Sequence, residues 1–456
     1  MHIPHISLDK NSDIPLYRQL SDAIKEAVAQ GKIAPDTKLP SIRQMARTLD
    51  VNNTTIVSAY KNLEREAAVY TIVGSGTFIA QPELVVEAPS PPKVEAGFIN
   101  FADTSTDMKL FPVTAFRRAF DAVLDRDGGN AFDCHDNQGY KPLRESLCQL
   151  LNSYGVKTEP DCMQVIPDAQ QGLKYLTDAF IEPGDIVLAE KLTSQRAVAA
   201  FLSKRAQVID IPLTQDGPDM EALETLIKKH KPKLIYVTPH FQTPTGISYS
   251  IEKQHRLLEL VKNADTYIIE EDQYSDFYYD GIKRTPLKAL DTSGKVFYIK
   301  SFSKTLVPGL RMGFMVCPKG AIAVGDDITA SGYIQRGLDL FLRSGAYELH
   351  VANMRSIYGR RYNKIVAAVN TYLGHLADFK LPGGGLSLWV TPHTSQSDDD
   401  YSASILQRQV VVSPGWLYST AKENGFMISF AAVADDKIAE GIGVIASVLG
   451  GEGHVI

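Results

Sequence analysis

Six short runs of apolar and β-branched residues, at 185–190, 207–213, 233–238, 266–270, 295–299 and 312–317, recur along the middle of the chain, several of them separated by helix-length stretches. Few architectures satisfy that alternation. A helix-length crossover returns the chain to start the next strand in the same direction, so the pattern predicts an α/β fold with a mostly parallel sheet covered on both faces. Burial of both faces accounts for the mostly apolar character of the runs. Ligands in such sheets sit at the carboxyl ends of the strands. After residue 342 the pattern becomes helical, through 348–373, and a smaller α+β unit closes the chain. No internal repeat is visible.

The first eighty residues read differently. Leu16, Leu20, Ile24 and Val28 recur at helical spacing after Pro15, Ile42, Met45 and Leu49 do so after Ser41, and Ile56, Tyr60 and Leu63 form a third stripe. Each stripe is expected to face a core. Residues 69–73, the turn 74–76 and residues 77–80 then predict a β-hairpin, since β-branched residues flank a glycine-rich turn. Three helices followed by a hairpin is a winged helix. Pro82, Pro89, Pro91 and Pro92 mark 81–97 as a semi-rigid linker, able to span about 3.1 Å per residue. The expected organisation is therefore a winged helix-turn-helix at 1–80, a Pro-rich linker at 81–97, and a large domain at 98–456.

Bulk properties narrow the function. With 456 residues, 44% hydrophobic and 22% charged, the chain has ordinary globular composition and length for two or three domains. No stretch approaches the roughly eighteen apolar residues of a membrane span, and residues 1–13 carry no signal-like pattern, so no membrane partner and a cytoplasmic location are expected. Cys134, Cys148, Cys162 and Cys317 never approach CxxC spacing, so neither a disulfide framework nor a metal site is expected. The net charge is −6, yet residues 1–80 hold nine Lys/Arg against eight Asp/Glu. A DNA-binding reading therefore rests on motif geometry and not on basic composition.

That geometry lies in Leu39-Pro40-Ser41-Ile42-Arg43-Gln44-Met45-Ala46, in Leu49-Asp50-Val51-Asn52-Asn53-Thr54-Thr55-Ile56-Val57, in Ala59-Tyr60-Lys61-Asn62-Leu63, and in Gly74-Ser75-Gly76-Thr77-Phe78. Asn52, Asn53, Thr54 and Thr55 are expected at the start of the third helix. Short polar side chains and free N–H groups there can meet phosphates and base edges in the major groove, although the same residues also cap helices. Together these segments resemble the GntR family's winged helix-turn-helix. The resemblance implies DNA-contacting roles for Ser41 and for Arg43, which would reach the backbone, and brings Ser75 and Gly76 at the wing tip to the minor groove. One near-neutral module binds weakly, so two held by a dimer are expected.

In the large domain, Ser301-Phe302-Ser303-Lys304 precedes Pro308-Gly309-Leu310-Arg311-Met312-Gly313. A lysine ending a strand can form a Schiff base with an aldehyde where its neighbourhood leaves the amine nucleophilic. The hydroxyls of Ser301 and Ser303 with the Arg311 guanidinium suit a phosphate dianion. With Glu271-Asp272-Gln273-Tyr274 after a strand, Ala169-Gln170-Gln171-Gly172 opening a helix, and the loop Thr238-Pro239-His240-Phe241-Gln242-Thr243-Pro244-Thr245-Gly246, residues 98–456 resemble fold type I aminotransferases. The order of the two parts resembles the MocR subfamily of GntR regulators. This implies pyridoxal 5'-phosphate (PLP) as cofactor, with Lys304 as its Schiff-base lysine, Asp272 facing the pyridine nitrogen, and Tyr274 hydrogen-bonding the phenolic oxygen. It also implies Ala169 and Gln170 at a phosphate-binding helix start, and Thr243 beside the ring.

Departures from the enzyme pattern carry equal weight. Thr243 stands where many aminotransferases have asparagine, Asp168 where a glycine makes the phosphate turn, Ser194 near a ring-stacking aromatic, and Cys134 where a tyrosine reaches the partner's phosphate. Met427 takes the place of the arginine that grips a substrate α-carboxylate, a loss of about 2 to 5 kcal/mol. Asp168 should repel a phosphate unless it points away, with Lys300 expected to offset it. The sequence thus predicts a homodimeric transcription regulator whose partners are operator DNA and a small-molecule effector, PLP itself or a PLP–amine adduct. At most slow half-transamination is expected. The alternatives are a PLP-dependent aminotransferase with an appended DNA-binding module, and a regulator that has lost the cofactor.

Overall fold

The computed structural model describes residues 8–10, 12, 14–29, 32–34, 37–65, 68–72, 76–79, 88–89, 94, 97–133, 136–321, 330–419 and 423–450. They fall into two units, Met1–Val85 and Val86–Ile456, and most of the Pro-rich stretch 81–97 lies outside the described residues.

In the first unit, helices Leu16–Ala29, Ile42–Leu49 and Asn53–Arg65 precede strands Val69–Ile72 and Gly76–Ile79, which pair antiparallel with Val69 opposite Ile79. The second helix begins where Ser41 Oγ accepts from the Gln44 N–H at 3.3 Å, satisfying a donor that the first turn leaves free. It stops at Asp50, a left-handed residue whose N–H is taken by the Ala46 carbonyl. Leu20, Ile24, Met45, Ile56, Leu63 and Ile79 are buried in one cluster, so all three helices and the wing share a core. Ahead of the second helix the chain joins the wing, with the Leu39 N–H donating to the Thr77 carbonyl at 2.8 Å and the Ile79 N–H to that of Thr37 at 2.9 Å. Ile42 departs from its expected core position and is 37% exposed. It opens a helix of only eight residues, whose buried arc is centred on Met45 and Ala46.

The second unit is built on a seven-stranded sheet in the order Met163–Ile166, Gly313–Val316, Val296–Ser301, Tyr267–Asp272, Leu234–Val237, Ile186–Glu190, Gln207–Ile211. The last five run parallel; Gly313–Val316 is antiparallel to both its neighbours. Alternation of side chains across the pleat is visible directly: Ile269, Tyr236 and Ala189 enter one core cluster, while Ile268, Ile235 and Leu188 enter another on the opposite face. Gly172 lets the helix Ala169–Phe180 close onto the sheet, since a Cβ there would lie 2.6 Å from Ile166 Cδ1.

Three details differ from the sequence expectation. Met163–Ile166 is a strand that four residues with a central glutamine do not announce. The run 207–213 breaks at Pro212, which lacks an N–H for the ladder, so Leu213–Thr214 pairs separately with Gly217–Pro218. Glu271 and Asp272 are the last residues of their strand and not residues following it.

The chain closes with helices Gly332–Arg343 and Ala346–Tyr372 and a small antiparallel sheet, ordered Ala377–Phe379, Ser387–Pro392, Phe426–Ser429, Ser413–Pro414. The helix Ile438–Leu449 contributes Ile442 and Ile445 to its core. No helix among the described residues is long and apolar enough to cross a membrane, and no metal-binding cluster occurs among them.

Candidate functional site

A cavity of about 480 Å³, within the size range of small-molecule sites, opens at the carboxyl ends of the parallel strands. Thr238, Asp272, Ser301, Ser303 and Lys304 reach it from the large sheet, and Ser413 and Tyr418 from the small unit. Thr243, Tyr274, Ala169, Gln170 and Arg311 line it too, so the fold brings together every cofactor-binding position expected from the sequence.

Lys304 lies in the turn after Val296–Ser301, three residues beyond the strand end where the sequence reading places it. Its Nζ donates to the Thr104 carbonyl at 2.8 Å and to Thr104 Oγ1 at 2.9 Å, and stands 5.8 Å from the centroid of the Tyr274 ring. No sequence signal points to Thr104. It is 200 residues away along the chain, and nothing in its surroundings marks it.

Asp272 is the most deeply committed charge in the cavity wall. Its Oδ2 accepts from Ser275 Oγ at 2.6 Å, from the Tyr298 hydroxyl at 2.6 Å and from Lys300 Nζ at 2.9 Å, while Oδ1 accepts the Ser275 N–H at 3.1 Å. Burial alone would raise this carboxyl, but the Lys300 ammonium and then the two hydroxyls outweigh it and hold it well below the ordinary carboxylate range. Lys300 also meets Asp276 at 3.1 Å, and Tyr154 donates to Asp276 from the other side. The expected role of Lys300 as an offset to Asp168 is therefore not what the structure holds; its charge is spent on two buried aspartates.

Asp168 pairs instead with Arg311, Oδ2 to Nη1 at 3.0 Å, while its Oδ1 caps the helix Ala169–Phe180 by accepting the Gln171 N–H at 2.9 Å. It thus points toward the anion-binding groups and not away from them. Ser301 Oγ donates to Ser303 Oγ at 3.0 Å and accepts the Ser303 N–H at 3.1 Å. The Gln170 amide donates to the Arg196 carbonyl at 3.1 Å.

Ser194 precedes the helix Gln195–Ser203 at the cavity wall without a side-chain cap bond. Met427, fully buried, pairs across the small sheet with Trp389 and Ser413, and the Tyr418 hydroxyl approaches its Sδ at 3.5 Å. Cys134 lies outside the described residues.

These groups fit a phosphorylated pyridine aldehyde. Thr243 Oγ1 is buried without a hydrogen-bond partner, a donor left for a ring oxygen. Asp272 Oδ1 accepts a single hydrogen bond and keeps capacity for a protonated ring nitrogen. Two serine hydroxyls, a helix N-terminus and a guanidinium converge where a phosphate would sit.

On the first unit, Ser41, Arg43, Asn52, Asn53 and Thr54 are exposed and Thr55 is half-buried. Asn52 lies one residue before the third helix and its carbonyl accepts the Thr55 N–H at 3.0 Å. Gly76 has φ +124, a backbone that L side chains rarely adopt. Ser75 lies outside the described residues.

Comparison with known proteins agrees with this division. Residues 16–79 match the family of bacterial regulatory proteins, gntR family, and residues 102–445 match aminotransferase class I and II. The chain is similar to the probable rhizopine catabolism regulatory protein MocR of Rhizobium meliloti, 28% identical with 96% of this chain and 95% of that protein covered. It is also similar to the HTH-type transcriptional regulator YisV of Bacillus subtilis strain 168, 26% identical over 95% of this chain and 96% of the relative. Among solved structures, Pyrococcus horikoshii kynurenine aminotransferase superimposes with a TM-score of 0.74 at 28% identity, covering 79% of this chain and 92% of its own. Thermus thermophilus LysN, an α-aminoadipate aminotransferase complexed with N-(5'-phosphopyridoxyl)-L-leucine, superimposes with a TM-score of 0.72 at 26% identity, covering 78% of this chain and 92% of its own. The chain belongs to the aminotransferase class I and II family and carries in front of that domain a gntR-family winged helix, the arrangement of the MocR subfamily.

Proposed function

We propose that this protein is a DNA-binding transcription regulator governed by PLP, taken up alone or as an adduct with an amine, in its aminotransferase-like unit. One observation carries the reading: Lys304, Asp272, Thr243 and Arg311 converge on a single cavity in a chain that begins with a gntR-family head. PLP, when bound, supplies an aldehyde and an electron-withdrawing ring. The chain supplies the rest. Thr104 orients the Lys304 amine, Asp272 keeps a fixed negative charge for the ring nitrogen, Tyr274 and Thr243 face the phenolic oxygen, and Ser301, Ser303, Arg311 and the helix start at Ala169 and Gln170 hold the phosphate.

On the DNA side, Asn52, Asn53, Thr54 and Thr55 meet base edges and phosphates, with Ser41, Arg43 and the wing residues Ser75 and Gly76 around them. A homodimer of the large units presents two heads to two half-sites in the cytoplasm, which offsets the few cations on each head. The ligand acts by binding the DNA-competent and incompetent arrangements with different affinity. Efficient turnover of α-amino acids is not expected, because the position where the family resemblance places a carboxylate-gripping arginine holds Met427, which is uncharged, fully buried and not among the residues that line the cavity. That feature favours PLP itself as the effector.

The test is an operator titration with and without PLP on the full chain and on Lys304→Ala, with visible absorbance recorded in parallel. The wild type should take up colour and change its operator affinity, and Lys304→Ala should do neither. A wild-type protein that stays colourless at saturating PLP and holds its operator equally tightly refutes the proposal. Repeating the titration with a panel of amines separates PLP alone from an adduct. Steady turnover of an amino donor with a 2-oxo acid would instead favour the enzyme reading.

A further inference from the structure

The phosphate end of the cavity already holds an anion, and it belongs to the chain. Asp168 uses both carboxylate oxygens: Oδ1 on the Gln171 N–H at 2.9 Å, at the positive end of the helix Ala169–Phe180, and Oδ2 on Arg311 at 3.0 Å. A helix N-terminus and a guanidinium are the two donors a phosphate dianion would seek at this point. Backbone strain does not put the residue there, since its φ of −164 is extended backbone open to any residue. The pair stands at the cavity mouth, with the Arg311 side chain 62% exposed and that of Asp168 27%.

We infer that Asp168 is an internal competitor for the cofactor's phosphate, so that binding requires the Asp168 carboxylate to release Arg311 and the helix start. This inference rests on the reading of the large unit as a PLP site. Its consequence is a lowered and tunable affinity. An enzyme gains from a cofactor that never leaves, whereas a regulator answering to the ligand's concentration needs a dissociation constant within the range over which that concentration varies. Competition is confined to the phosphate, because Asp168 makes no hydrogen bond or ion pair to Lys304, Asp272, Tyr274 or Thr243 on the ring side.

The discriminating variant is Asp168→Asn, which keeps a good helix cap while removing the charge, with Asp168→Gly as a second that removes the side chain. Dissociation constants for PLP and for pyridoxal, which lacks the phosphate, are measured on the full chain of each. Asp168→Asn should bind PLP about tenfold more tightly than wild type and pyridoxal with an affinity within about twofold. The PLP concentration that half-shifts operator binding should fall in parallel. Unchanged or weaker PLP binding in both variants overturns the inference and makes Asp168 a residue that orients Arg311 for the phosphate. An equal gain for pyridoxal also overturns it. Absence of PLP uptake by wild type and both variants overturns this inference together with the cofactor reading, so the two failures are distinguishable.

Discussion

Replacing Lys300 by methionine tests the electrostatics of the cavity floor most directly. The ammonium is fully buried between Asp272 at 2.9 Å and Asp276 at 3.1 Å, and both carboxylates are buried as well. Removing it leaves two like charges facing each other in a desolvated space. The cheapest response is for one carboxyl to take up a proton. From an ordinary carboxyl pKa of about 4, that costs about 1.4 kcal/mol for each of about 3 pH units at pH 7, or about 4 kcal/mol. The figure agrees with the roughly 3 to 5 kcal/mol seen when one partner of a buried ion pair is removed.

The same arithmetic sets a pH signature, since the penalty shrinks to about 1.5 kcal/mol at pH 5, where the proton is nearly free. Adding Asp276→Asn to Lys300→Met should recover more than half of the loss at pH 7, because the surviving Asp272 keeps its Ser275 and Tyr298 donors. Urea unfolding of PLP-free protein followed by tryptophan fluorescence is suited to this, as Trp389 and Trp416, the two tryptophans in the sequence, both lie in the large unit. A loss below about 1 kcal/mol at pH 7, or a loss independent of pH, would refute the assignment of Lys300 as counter-charge to two ionised aspartates.

Two further outcomes can be measured on the same protein. Burial pushes the His240 imidazole down to about 4, against a weaker upward pull from Asp272, and its Nδ1 has no partner. The unfolded chain binds a proton at about pH 6.5 while the folded chain does not, so this group favours unfolding as pH falls from 6.5 toward 4, by about 2 kcal/mol at pH 5. His240→Gln should lose that slope in urea titrations at pH 7 and pH 5, and an unaltered slope counts against it. Met427→Arg places a guanidinium where an α-carboxylate anchor is expected and should raise the affinity of the PLP-loaded protein for α-amino acids by at least about 30-fold, read as the ligand-induced spectral change. No gain would show that this strand does not serve the cavity.

Much of the architecture was legible because it is written locally. Apolar runs at helix-length intervals specify strands and crossovers, Ser41 marks a helix start by its own oxygen, and Lys304 and Arg311 are seven residues apart in the single connection between two neighbouring strands. The gntR-like segment was readable for the same reason, since caps, stripes and wing all lie within eighty residues. What escaped was which side chain bonds to which across distant segments. Thr104 meets Lys304 across 200 residues, and Tyr154 reaches Asp276 across 122. The family resemblance could propose that Asp168 stands near a phosphate but not where its oxygens point. It assigned Lys300 to the wrong carboxylate for the same reason.

Periodicity, caps and motif spacing therefore determined most of the elements and their order, because these depend on interactions within a few residues, while the candidate site residues came from short motifs and the family resemblance they carry. Only the tertiary structure decided which charge neutralises which. Coulombic pairing depends on distances and desolvation set by how the strands and the small unit close over the cavity, and a one-dimensional pattern holds no record of either.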